Sequence, residues 1–212
     1  LTGGVTACVL WGAAAWLPAH LAVVVAFAAR VLLTGALHED GLADFFDGFG
    51  GGTTRERTLA IMKDSHIGTY GVLGVVFYAL LLVGTVAALP LETAVRVVSV
   101  GDPLSKFAAS QLVNVLPYVR PLEQSKVGTV YRRMGVCAWL LSAVFGVMPV
   151  VVLLPVPFWP VVAVPFIVTG GLILFLRRRI GGYTGDCCGA VFLLSELAFY
   201  LAVAVRYGGL VG

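Results

Sequence analysis

The sequence predicts an all-α, polytopic membrane bundle, and three observations point there. The chain is 59% hydrophobic and only 12% charged, with a mean hydropathy of +0.98, against about 25% charged residues in an ordinary soluble domain. Its apolar runs are long enough to cross a hydrocarbon core of about 30 Å, which takes roughly 20 helical residues. Its 26 Gly and 10 Pro punctuate those runs instead of forming a low-complexity tract. Together these exclude a soluble globular domain, a disordered chain and a disulfide scaffold.

Seven apolar runs are read as spans: 5–17, 19–37, 70–89, 93–116, 136–154, 158–176 and 188–205, each bounded by Pro, Gly or charge. The first is short. No basic segment or small-residue cleavage site precedes it, so no signal peptide is expected. The chain opens on Leu1, and its native N-terminus is expected to be missing. Three connections carry most of the charge: 38–69 with Arg55, Arg57 and Lys63; 118–133 with Arg120, Lys126, Arg132 and Arg133; and 177–186 with Arg177, Arg178 and Arg179. Two spans separate each from the next, so all three share one side. The turns at Pro18, at Pro90 and at 155–160 have no Lys or Arg, which by the positive-inside rule makes the charged side cytoplasmic. With no internal repeat, residues 1–212 are expected to form one transmembrane catalytic domain, with the lipid bilayer as a partner and a homo-oligomer admitted. Basic residues at membrane ends, without a stripe, argue against nucleic acid. Cys8, Cys137, Cys187 and Cys188 have no metal-ligand spacing and are expected to pack as small hydrophobes.

The chemistry concentrates after the second run. Asp40, Asp44 and Asp47 stand at offsets of four and three, one narrow face of a helix, while Leu42, Phe45 and Phe46 point elsewhere. Like charges stacked that way repel, and a divalent cation would neutralise them. Carboxylates are hard ligands suited to Mg²⁺, Mn²⁺ or Ca²⁺, and Mg²⁺ in particular is held by one or two carboxylates with waters and substrate phosphates. The bland reading is a solvated acidic face paired with Arg55 or Arg57. Next come Gly50, Gly51 and Gly52, then Thr53 with Glu56 three residues on, a capping-box pattern for a new helix. Glycines let backbone approach phosphate, although a plain hinge explains them equally. Lys63 and Asp64 return to the membrane surface beside the break at 65–71, placed to hold phosphate and metal or to act as interface anchors. His66 reads as a surface residue. Asp102 and Lys106, one turn apart inside an apolar run, are an intrahelical pair or the lining of a polar cavity. Tyr183 and Asp186 sit in a second glycine-rich membrane edge, and Glu196 follows within the last run. Carboxylates, a divalent ion, cations and glycine turns at one membrane face suggest phosphoryl chemistry.

The runs His38-Glu-Asp-Gly-Leu-Ala-Asp-Phe-Phe-Asp-Gly48, Arg55-Glu-Arg57, Ile61-Met-Lys-Asp-Ser-His-Ile-Gly-Thr-Tyr-Gly71 and Gly181-Gly-Tyr-Thr-Gly-Asp-Cys-Cys-Gly-Ala190 resemble the cobalamin synthase family, adenosylcobinamide-GDP ribazoletransferase. The likeness runs in order along nearly the whole chain. It departs at Lys106, where the family pattern carries Arg, and in lacking the family's opening segment. The resemblance implies a Mg²⁺-dependent enzyme of the cytoplasmic (inner) membrane. Such an enzyme joins adenosylcobinamide-GDP to alpha-ribazole or its 5'-phosphate and releases GMP, the last nucleotide-loop step of cobalamin biosynthesis. Mapped onto this chain, it implies Asp40, Asp44, Asp47 and Asp64 as metal ligands and Asp64 or Asp40 as catalytic carboxylate. Lys63, Arg57 and Lys106 would balance the diphosphate, and Tyr183 and Asp186 would line the acceptor side. Two alternatives stand beside it: a CDP-alcohol phosphotransferase, part of whose aspartate motif 44–48 matches, and a cation-coupled transporter, whose sites tend to lie nearer the midplane.

Overall fold

The computed structural model describes residues 1–120 and 133–211. Lys126 and Arg132 of the second charged connection lie outside the described residues. Nine α-helices follow in order among the described residues: α1 Thr2–Ala13, α2 Ala19–Thr34, α3 Leu37–Gly51, α4 Arg55–Ile61, α5 Thr69–Ala87, α6 Leu91–Val115, α7 Val136–Leu153, α8 Val164–Arg179 and α9 Gly185–Val211. A 3-10 turn, Val156–Ala163, leads into α8. Pro18 and Pro90 stand at the N-caps of α2 and α6, where the missing N–H costs nothing. No strand occurs among the described residues, only a single parallel bridge between Tyr118 and Tyr183.

All seven apolar runs fold as helix, but fewer than seven meet the length and composition of a crossing. Four do: Thr69–Ala87, Val136–Leu153, Val156–Arg179 and Gly185–Leu210. A fifth exists if α2 and α3 count as one bent span. The shortfall has physical causes. Helix α1 has 12 residues, and α6 carries Glu92, Arg96, Asp102 and Lys106 along its 25 residues. The run read as 19–37 stops at Thr34, because Gly35 (φ 63°) and Ala36 (φ 58°) both adopt left-handed backbone and turn the chain by 92°. Glycine takes that conformation freely, whereas an L-residue such as Ala36 pays roughly 1–2 kcal/mol for it. The turn releases α3 from the line of α2 and presents it as a separate helix, in which Leu42 and Phe45 are buried and Phe46 is half-buried.

Helix α9 is the centre. Of its most apolar stretch 61% is buried, against 11% for α7, so α9 is apolar all round because protein surrounds it and α7 because it faces lipid. Helices α3, α5, α6 and α8 pack on α9. The approach of α3 is backbone to backbone: a Cβ on Gly41 would stand 2.8 Å from the Asp186 carbonyl oxygen, and one on Gly189 would stand 3.0 Å from that of His38.

Inside this bundle lies a charged knot. Arg30 of α2 is 3% exposed and Glu196 of α9 is fully buried. Arg30 Nη1 donates to both Glu196 oxygens at 2.9 and 2.7 Å, and its Nη2 donates to Tyr78 Oη of α5 at 2.9 Å. Tyr200 Oη donates to Glu196 at 2.9 Å, and Glu39 of α3 lies 3.6 Å from the guanidinium. Four helices therefore meet on one ion pair. Removing one partner of a buried pair leaves an uncompensated charge, which costs about 3–5 kcal/mol, whereas replacing both with apolar groups is often neutral. Glu196→Leu alone is expected to lower stability by that amount. The double substitution Arg30→Met/Glu196→Leu should unfold closer to wild type, measured as a double-mutant cycle on unfolding in detergent. Additive losses would refute the coupling.

Candidate functional site

Helix α3 carries its three aspartates in three different environments. Asp40 is exposed, Asp44 half-buried and Asp47 buried. Asp47 accepts the backbone N–H of Gly68 at 2.7 Å and of Gly71 at 2.8 Å, one on each carboxylate oxygen. These are the N-cap and first turn of α5, where unsatisfied donors and the helix dipole both favour an anion. The glycines of the 65–71 break are thereby explained: a Cβ on Gly68 would stand 2.5 Å from Asp47 Oδ1. Both oxygens that the sequence offered to a metal thus hold the start of α5, so Asp47 ties α3 to α5.

The glycine run ends α3 rather than forming a loose hinge. Gly50 and Gly51 are its last residues, and the Gly52 carbonyl accepts from Arg179 Nη2 of α8 at 2.9 Å. The cap of α4 is Thr54, one residue beyond the expected Thr53, and its hydroxyl accepts from the Arg57 N–H at 3.2 Å. Arg57, Lys63 and Asp64 are all exposed. Asp64 Oδ1 accepts from the His66 N–H at 3.0 Å and lies 2.7 Å from its Nδ1. That imidazole contact holds the Asp64 carboxyl below the usual carboxylate range. A carboxylate so held is a poor proton acceptor.

A cavity of about 360 Å³ opens between α3, α6 and α9. It brings together Asp40 of α3, Lys106 of α6 and Asp186 of α9, three of the residues singled out in the sequence. Lys106 is both an intrahelical partner and a cavity residue: its Nζ lies 2.9 Å from Asp102 Oδ2, and it also donates to Thr2 Oγ1. Asp186 pairs with Arg120 at 2.9 Å, both side chains being about nine-tenths buried. The 117–120 segment is pinned there by Val119 N–H to Tyr183 O and Tyr183 N–H to Pro117 O, each 3.0 Å. Tyr183 does not line the cavity as expected. It is 1% exposed and stands behind Tyr118, ring centroids 5.5 Å apart, and Tyr118 forms the wall.

The structure does not gather Asp44, Asp47, Asp64, Arg57 or Lys63 around this cavity. Among the described residues no group of three or more His, Cys, Asp or Glu is disposed to hold a metal ion by itself. Asp40 and Asp44, one turn apart on α3, fit the sparser mode of Mg²⁺, which takes one or two carboxylates and completes its octahedron with water and substrate phosphate. Sequence reasoning missed Arg30 and gave Arg120 only a topological role. The signal for Arg30 was present: one cation in an apolar run matched by one carboxylate, Glu196, in another.

A family model described as CobS, Cobalamin-5-phosphate synthase, matches residues 1–204. A protein of Shewanella oneidensis named adenosylcobinamide-GDP ribazoletransferase is 36% identical over 211 residues, covering 98% of this chain and 80% of the relative. One of Shewanella baltica with the same name is 37% identical over 208 residues, covering 97% and 79%. No solved structure matches the chain.

Asp47 and Asp64 should differ in their response to loss of charge. Asp47→Asn turns one acceptor into an N–H₂ group facing the α5 backbone donors and is expected to cost about 1–3 kcal/mol. Asp64→Asn, at an exposed loop, should leave the melting temperature unchanged. Thermal unfolding of both variants in detergent tests this, and a stable Asp47→Asn protein would overturn the anchoring role.

Proposed function

Because this chain belongs to the cobalamin-5-phosphate synthase family, we propose that it transfers the adenosylcobinamide phosphate unit of adenosylcobinamide-GDP to alpha-ribazole or its 5'-phosphate, with release of GMP. The observation that carries this reading beyond the family is the cavity, which sets carboxylates and cations from α3, α6 and α9 around one space. Phosphoryl transfer through a loose transition state asks little covalent chemistry of a protein. Positioning and charge stabilisation do most of the work. The built-in geometry suits that demand.

Asp40 and Asp44 would hold Mg²⁺. When bound, the ion neutralises the diphosphate and favours departure of GMP. Arg57 and Lys63, exposed on α4 and just after it, would balance charge on the nucleotide side. Lys106 and the Arg120–Asp186 pair would orient the acceptor from the cavity. Asp64 is a weak choice for the base, given its depressed pKa, and is read as a loop anchor. By the positive-inside rule the charged connections support a reading in which this face looks toward the cytoplasm and the site lies at the inner membrane.

Detergent-solubilised protein, given both substrates with Mg²⁺ or with EDTA, is expected to release GMP and the matching corrinoid product only with the metal. Asp40→Asn and Asp44→Asn should each lower kcat by roughly 100-fold or more, an effect of the size seen when a charge-stabilising group is lost. Asp64→Asn should lose far less. Product formation in EDTA would sink the metal assignment, and absence of product from folded wild-type protein would sink the reaction, leaving CDP-alcohols as the next donors to try.

A further inference from the structure

We propose that the end of α8 is a docking surface for an anionic phospholipid headgroup, held by Arg177 and Arg178 where the exposed apolar stripe of that helix gives way to charge.

The stripe comes first. Ile167, Gly171, Leu174 and Arg178 follow one another at offsets of four, three and four, which is one face of a helix. All four are exposed, Ile167 at 69% and Leu174 at 57%. Pro165, Thr169 and Leu176 are buried on the opposite face, where α8 packs on α6 and α9. The stretch Val156–Arg179 has the length and composition of a membrane crossing, so its exposed face is the one that acyl chains cover. Arg177 and Arg178 follow within one turn of Leu174. A guanidinium on a long aliphatic stem reaches headgroup level from such a position.

The three consecutive arginines then divide by partner. Arg179 turns back to protein: its Nη2 donates to the Gly52 carbonyl at 2.9 Å, and its guanidinium lies 5.5 and 5.7 Å from the ring centroids of Phe49 and Phe175. Arg177 and Arg178 are exposed, and among the described residues neither makes an ion pair or a hydrogen bond. Cations suit the C-terminus of a helix, but three in succession repel one another. A phosphodiester held by Arg177 and Arg178 relieves that repulsion, and an anionic lipid supplies one at this level.

Position separates this anion from the phosphates of the substrates. None of the residues lining the cavity between α3, α6 and α9 belongs to α8. The outer face of α8 looks away from the helices that form it. A lipid whose chains lie along Ile167 and Leu174 brings its headgroup to the two free guanidinium groups, whereas a soluble anion has no such guide. The proposal concerns the membrane-facing surface and stands or falls independently of the reaction.

The full chain in detergent, supplemented with phosphatidylglycerol or with phosphatidylcholine of the same acyl chains, gives the test through native mass spectrometry of retained lipid and through melting temperature. Wild type is expected to retain phosphatidylglycerol over phosphatidylcholine by roughly tenfold, the order of gain that two basic residues give near an anionic surface, and to melt higher with it. Arg177→Gln/Arg178→Gln should bring retention of the two lipids within about twofold and leave the melting temperature in phosphatidylcholine unchanged. Arg96→Gln/Arg206→Gln removes the same charge from helix ends beside the uncharged turns and should keep the preference. An equal loss in that control would reduce the effect to net charge and overturn the site. Equal retention of both lipids by wild type, or a preference that survives Arg177→Gln/Arg178→Gln, overturns it as well. So does inorganic phosphate alone raising the melting temperature as far as phosphatidylglycerol, since a site for a free anion needs no lipid. If the paired variant does not fold, Arg177→Gln and Arg178→Gln carry the test singly, each expected to lose about threefold of the preference; no loss in either overturns the proposal.

Discussion

A guanidinium held against a carboxylate with no water to share is the constraint on which the bundle turns. Neither Arg30 nor Glu196 is tolerable alone among apolar helices, since an isolated buried charge is far more costly than the pair. Each therefore requires the other, and meeting that requirement brings α2 to α9. The two tyrosines complete the hydrogen bonding, Tyr78 from α5 and Tyr200 from the next turn of α9. Hydrocarbon packing between helices is nearly indifferent to register, because lipid tails are as apolar as leucine. A polar knot is not indifferent, and here it sets the register.

The same knot reaches the chemistry through its third neighbour. Glu39, 3.6 Å from Arg30, precedes Asp40 in the first turn of α3. The far end of α3 is held twice more, by Asp47 on the α5 backbone and by Arg179 on the Gly52 carbonyl. Helix α3 is thus tied near both ends to its neighbours α2, α5 and α8, and its row of aspartates is carried on a fastened element. A site that works by positioning charge benefits from that support.

Much of this was legible beforehand, for reasons that differ by residue. Helical periodicity placed Asp40, Asp44 and Asp47 on one face of a real helix, since offsets of four and three are a local property. Pro18 and Pro90 marked helix starts for an equally local reason. The fate of Asp47 was not local: its partners, Gly68 and Gly71, come from a different helix, and only the tertiary path brings them near. The same holds for Tyr183, which a motif places at the site but packing sets behind Tyr118. The left-handed Ala36 was hidden because alanine rarely adopts that backbone, so an apolar run continued on paper where the chain in fact turns. The count of crossings is not confirmed: four helices among the described residues have the length and composition of a span, five if α2 and α3 count as one, while α6 carries four charges along its length.

The two glycine contacts between α3 and α9 leave the cavity with walls of unequal tolerance. Where Gly41 and Gly189 press backbone against backbone, any added carbon must displace a main chain, and close-packed interiors have little slack for that. The α6 wall is built of side chains such as Ala109 and Val113, which can be exchanged at modest cost. Room to alter what the cavity holds therefore lies in the side chains of the α6 wall, because the α3–α9 seam has no space for an added atom.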